Sequence, residues 1–160
     1  MQSLWDTGLP EMPTTLHLLP VSYTHLDHNA LTRKLEPENM AAPEYSMQMD
    51  GQAVFKFAVR SVPQAVEEVL EKNQVAQEEI SCYILHQANR RIVEAVAKRL
   101  GEPIEKFPMN LQEYGNTSSA SIPILLDELN RAGKLEKGRK IVMAGFGAGL
   151  SWGASILEWK

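Results

Sequence analysis

Apolar residues along the chain change rhythm near residue 49. Beyond it, Val54, Phe57, Ala58, Val62, Ala65, Val66, Val69 and Leu70 recur at three- and four-residue intervals, the stripe of an amphipathic helix. Pro63 is expected to kink or divide that helix. Residues 80–85, ISCYIL, form a short apolar run of the kind that makes a buried strand. Ile92, Val93, Val96 and Leu100 return to helical spacing, and Gly101 stops this second helix. Residues 107–111 read as a short strand. A third helix, capped by Asn116 or Thr117, carries the stripe Ile122, Leu125, Leu126 and Leu129. Pro123 is tolerable there only if the helix begins late or bends, and Gly133 closes it. Residues 140–144 and 151–158 read as strands; Trp152, Ala154 and Ile156 fall on one side of the latter. The turn GFGAGL allows these two to pair as a hairpin. The order helix, strand, helix, strand, helix, strand, strand predicts an α/β domain, a mostly parallel mixed sheet with covering helices.

Neither rhythm persists before residue 46, so residues 1–45 read as mostly irregular and residues 46–160 as the folded domain. Composition shifts at the same place. The first fifty residues carry seven acidic residues against Arg33 and Lys34, and five of the nine prolines; the rest carries thirteen acidic and fourteen basic residues. An irregular stretch that long is unusual inside a compact domain, which makes it either a tail or a segment that belongs against something else.

The length of 160 residues fits one domain with a real core. A net charge of −4 lacks the basic surplus of a nucleic-acid binder. No apolar run approaches the ~20 residues of a membrane span, and the N-terminus has no basic region of a signal peptide. Cys82 is the one cysteine, which excludes a disulfide within the chain and a multi-cysteine metal site, and suits a reducing cytoplasm.

Four segments carry possible chemistry. His86 directly follows the strand ISCYIL, and chemistry in open α/β sheets gathers at the carboxyl ends of strands. Its plain alternative is a loop histidine that caps the next helix. Residues 114–121, YGNTSSAS, form a polar turn opening a helix; Asn116 can donate to a substrate oxygen or simply act as an N-cap. Residues 145–149, GFGAG, follow a strand but lack the Lys-Ser/Thr of a P-loop. A strand rather than a helix comes next, so the dinucleotide fingerprint fails in context. Close approach of backbone N–H groups to an oxyanion is the better use, a tight hairpin the plain one. Cys82 and His86, roughly 13 Å apart along one strand at 3.3 Å per residue, cannot hydrogen-bond as a nucleophile and its base. Cys82 therefore reads as a buried small hydrophobe. His25 and His28 with Asp27 lack further metal ligands, so no metal is expected. Ser118 or Ser119 with His86 lacks the nucleophile elbow of a serine hydrolase.

HQANRRI, YGNTSSAS with Asn116 thirty residues after His86, and GFGAGLSWGA, preceded by MDGQAVFKFAVRSVP, together resemble the C-terminal half of β-ketoacyl-acyl carrier protein synthase III. The resemblance covers about residues 46–160 and implies the thiolase-like fold, two similar α/β halves usually assembled as a homodimer. It implies condensation of an acyl-CoA, commonly acetyl-CoA, with malonyl-acyl carrier protein to begin fatty-acid synthesis by a Cys-His-Asn triad. His86 is then the catalytic histidine and Asn116 the catalytic asparagine, both donating to the malonyl thioester oxygen. Ala148 takes the place of the glycine-loop residue whose backbone N–H serves the oxyanion hole. Arg91 takes that of the carrier-protein docking arginine, with Arg90 beside it. No bound cofactor is implied; the CoA thioester is substrate. The family's nucleophilic cysteine lies in the N-terminal half, and Cys82 is not it, so the expectation is a C-terminal half that is inactive alone. Two other readings stay open: a non-catalytic module that binds carrier protein or a subunit, and a related polyketide starter ketosynthase.

Overall fold

A computed structural model describes residues 50–148 and 150–160. The boundary expected at residue 45 and the His25–His28 pair lie outside the described residues. Helix α1 spans Gly51–Lys72. It starts where the Asp50 carboxylate accepts from the N–H groups of Gln52 and Ala53, both at 3.0 Å. Pro63 does not divide it: the helix runs on through the proline, whose ring is fully buried. Apolar burial of that ring offsets the hydrogen bond that proline cannot donate.

Strand β1 is Ile80–Leu85 and helix α2 is Arg90–Leu100. Asn89 caps α2 by accepting from the Arg91 N–H at 2.8 Å, and Gly101 closes it in the left-handed region at φ 71°. The strand expected over 107–111 does not form. A 3₁₀ turn at Ile104–Lys106 runs into it, and its end becomes a single helical turn, α3, Leu111–Tyr114. Helix α4, Ser121–Arg131, follows a 3₁₀ turn at Ser118–Ala120. It begins late enough to place Pro123 in its first turn, where an N–H has no helical partner anyway.

Strands β2, Lys140–Gly147, and β3, Ser151–Glu158, complete a three-stranded mixed sheet in the order β1-β2-β3. β1 pairs with β2 in parallel; β2 and β3 pair antiparallel as the expected hairpin. Alternation along β1 splits the core between the two sheet faces. Tyr83 and Leu85 join Val62, Val66, Val96 and Phe107 under α1 and α2, with Tyr83 stacked on Phe107 at 4.7 Å. Ile84 joins Leu125, Leu129, Ile141 and Leu157 under α4, with Cys82 at its margin. Ala154 and Ile156 pack on the first of these cores, and Trp152 meets Phe57 edge-on at 5.4 Å. Among the described residues no helix is long and apolar enough to cross a membrane.

Candidate active site

The parallel β1–β2 pair delivers His86 to the carboxyl end of the sheet. Its backbone N–H continues the ladder by donating to the Ala144 carbonyl at 2.9 Å. The imidazole lies edge-on to Phe146 of β2, with ring centroids 5.3 Å apart. Gly145 faces both His86 and Ile122 of α4: a Cβ there would lie 3.5 Å from the Ile122 side chain and 3.9 Å from the His86 Cβ. Nδ1 of His86 is 2.6 Å from the Ser121 hydroxyl, and Nε2 has no hydrogen-bond partner among the described residues. Partial burial holds the His86 pKa below its ordinary value, because the cation would lose more hydration than the neutral ring. The imidazole is therefore neutral near pH 7.

Asn116 stands on the exposed loop between α3 and α4. Its Oδ1 accepts from the Ser118 N–H at 2.9 Å, so its expected capping role is spent on the 3₁₀ turn rather than on α4. That bond anchors the oxygen and leaves the amide –NH₂ as the group available to donate. Backbone conformation in this loop is unusual on both sides of Asn116. Gly115 has φ 67° and ψ −155°, and Ser118 has φ 56°. The first region is accessible essentially to glycine alone, and the second is uncommon for a serine.

Ala148 lies exposed in the β2–β3 turn, where its carbonyl accepts from the Ser151 hydroxyl at 3.0 Å. Arg91 opens α2 with its guanidinium 5.8 Å from the centre of the Phe55 ring, and it has no ion pair with a described residue. Arg90 instead pairs with Glu94 at 2.8 Å. The elements thus gather His86, the start of α4 and the end of β2, while Arg91 at the start of α2 faces Phe55 of α1. Cys82 is half-buried and desolvation pushes its thiol up to about 11, which leaves it protonated near neutrality. No group of three or more His, Cys, Asp or Glu residues able to hold a metal occurs among the described residues.

Gln87 and Ser121 also belong to the site; both lie within the singled-out motifs HQANRRI and YGNTSSAS, but neither is assigned a role by the sequence. Gln87, 1% exposed, donates from Nε2 to the Leu85 carbonyl at 2.8 Å and accepts at Oε1 from the Asn110 N–H at 3.2 Å. Asn110 and Tyr114 both donate to the Glu128 carboxylate, at 2.6 and 2.7 Å. The hydrogen bond from Tyr114, then that from Asn110, lowers the Glu128 pKa. The two bonds clamp α3, and with it the start of the Asn116 loop, onto α4. One signal for Ser121 exists in the sequence. It precedes Leu125 and Leu129 at four-residue intervals, and a hydroxyl on the apolar stripe of a helix needs a partner.

Residues 70–159 match the family model described as "3-Oxoacyl-[acyl-carrier-protein (ACP)] synthase III C terminal". A β-ketoacyl-[acyl-carrier-protein] synthase III from Synechocystis is 53% identical over 111 residues, covering 69% of this chain and 34% of that protein. The crystal structure of 3-oxoacyl-[acyl-carrier-protein] synthase III from Aquifex aeolicus superposes with a TM-score of 0.70 at 48% identity, covering 74% of this chain and 39% of that one. The priming β-ketosynthase of a polyketide pathway superposes at 0.68 with 35% identity, covering 77% and 38%. The mixed sheet with helices on both faces, ending in His86, is thus half of a thiolase-like ketosynthase fold. Within that class, the chain belongs to the 3-oxoacyl-[acyl-carrier-protein] synthase III family, as its C-terminal domain. It spans about a third of the length of the curated relatives it matches.

Proposed function

We propose that this chain supplies the histidine and asparagine of a condensing site whose nucleophilic cysteine lies on an N-terminal half outside the present sequence. The observation that carries the reading is the neutral, half-buried His86 at the carboxyl end of β1, anchored through Nδ1 and with Nε2 unbonded among the described residues. Nε2–H of His86 and the Asn116 amide donate to the thioester oxygen of malonyl-acyl carrier protein. The malonyl carboxylate leaves as CO₂, and its bonding pair becomes an enolate whose negative oxygen those two donors stabilise. The enolate carbon attacks an acyl group, acetyl in the commonest case, delivered by acyl-CoA and held on the cysteine. The cysteine thiolate leaves, and the Ala148 N–H serves the oxyanion of that addition. Arg91, without an ion pair to a described residue, docks the acidic carrier protein. The CoA thioester is a substrate rather than a resident cofactor, the complete enzyme is a homodimer, and the setting is the cytoplasm.

The test supplies the N-terminal half of the Synechocystis relative in trans and measures 3-oxoacyl-carrier protein and CO₂ from acetyl-CoA and malonyl-acyl carrier protein. Turnover that disappears with His86→Ala is expected. A folded two-half complex that releases no CO₂ overturns the reading. Carrier-protein binding without turnover, lost on Arg91→Glu, is the outcome that belongs to a non-catalytic binding module. The likeness to the priming ketosynthase favours one further arm, in which other acyl-CoA starters replace acetyl-CoA.

A further inference from the structure

We infer that Ser121 is a positioning residue for His86: its hydroxyl donates to Nδ1 and so holds the imidazole as the Nε2–H tautomer. The inference rests on the reading of His86 as a donor to a thioester oxygen, because only that tautomer presents an N–H on the ring edge that has no described partner.

Among the described residues two polar atoms surround the Ser121 oxygen: Nδ1 of His86 at 2.6 Å and the Gln87 backbone nitrogen at 3.2 Å. The Gln87 nitrogen is an amide and can only donate, so it occupies one lone pair of the hydroxyl. The hydroxyl then has one proton to place. Directed at Nδ1, that proton satisfies every group in the cluster. With the other tautomer, Nδ1–H donates to the hydroxyl oxygen, and the serine proton has no acceptor among the described residues. Ser121 is 2% exposed, and a buried donor without a partner is costly.

The surroundings hold this arrangement in place. Ser121 opens α4 on the same stripe as Leu125 and Leu129, so its position follows from the packing of the helix. The Gln87 N–H cannot turn away, because the Gln87 side chain is itself tied to the Leu85 carbonyl and the Asn110 N–H. No carboxylate of a described residue hydrogen-bonds to His86, so nothing favours a doubly protonated ring, and burial acts against one.

The experiment is a long-range ¹H–¹⁵N correlation spectrum of the full chain labelled with ¹⁵N-histidine, with His86 assigned by the signals lost in His86→Gln. The expected result is the neutral Nε2–H pattern in the unsubstituted chain. Ser121→Ala is expected to give a mixture of tautomers, and Ser121→Thr to keep the Nε2–H pattern because it keeps the hydroxyl. An Nδ1–H pattern in the unsubstituted chain overturns the inference, and so does an unchanged Nε2–H pattern in folded Ser121→Ala. Should Ser121→Ala fail to fold, the unsubstituted chain and Ser121→Thr decide. The spectrum needs neither substrate nor the second half. A failure of condensation in the two-half complex therefore counts against the proposed function alone, whereas the wrong tautomer counts against Ser121 alone.

Discussion

His86 has no charged hydrogen-bond partner among the described residues, so burial is the force that acts on its proton. Its folded-state pKa lies below the ordinary value of 6.5, and the unfolded chain therefore binds the proton more readily than the native one. Stability from this group is complete above the unfolded pKa and is lost as pH falls toward the folded pKa. Denaturation midpoints measured between pH 7.5 and 5.5 should fall with acidity, and His86→Gln should flatten that slope; an equal slope in both proteins would show that other groups dominate the window. Asn116 yields a sharper substitution. Asn116→Asp keeps an oxygen to accept from the Ser118 N–H but replaces the amide donor with an acceptor. Condensation by the two-half complex should fall by about 10²-fold or more, the scale of losing one oxyanion donor, while circular dichroism stays unchanged. How the sequence reads at this scale follows from separation along the chain. His86 and Asn116 lie in short motifs visible by eye. Ser121 meets His86 only because α4 packs beneath β1, a contact across 35 residues that no local pattern announces.

Elements were legible where one periodicity ruled and failed where side chains replaced the backbone ladder. The stripe of α2, the run of β1 and the alternation of β3 appear in the structure where the spacing puts them. Residues 107–111 carry the alternation Phe107, Met109, Leu111, yet they make no strand. Pro108 has no N–H to give, the Phe107 N–H turns back to the Ile104 carbonyl, and the Asn110 N–H goes to the Gln87 side chain. Pro63 misleads in the opposite sense, because a buried ring within a long helix compensates for the missing donor. The signal at Gly101 was local and sufficient: the residue closes α2 at φ 71°, and nothing lies within 4 Å of where a Cβ would stand. Gly101→Ala therefore meets no clash, and its cost is conformational alone, about 1–2 kcal/mol for a Cβ in the left-handed region. Urea denaturation should show that loss with an unchanged m-value.

Two apolar cores on opposite faces of one three-stranded sheet make the described residues a single packed unit. Among the described residues four large apolar side chains are exposed: Ile104, Tyr114, Leu150 and Trp152. Three of them flank proposed site positions, Tyr114 two residues before Asn116, and Leu150 and Trp152 two and four residues after Ala148. Exposed apolar side chains close along the chain to the proposed polar site residues suit a surface between two halves, whose closure would dry the site and strengthen the hydrogen bonds made there. Trp152 reports on that closure directly. It is 37% exposed, one face resting edge-on against Phe57, whereas Trp159 is already buried at 8%. Adding the N-terminal half of a relative should shift tryptophan emission to the blue, because the Trp152 indole leaves water, and Trp152→Phe should remove most of the shift. The same addition should raise the melting temperature in proportion to the logarithm of the added concentration once binding saturates, as mass action requires of a partner that binds only the folded chain. Emission from Trp152 that stays unchanged while the two halves co-elute would mean that they join through another face, leaving His86 and Asn116 outside the interface.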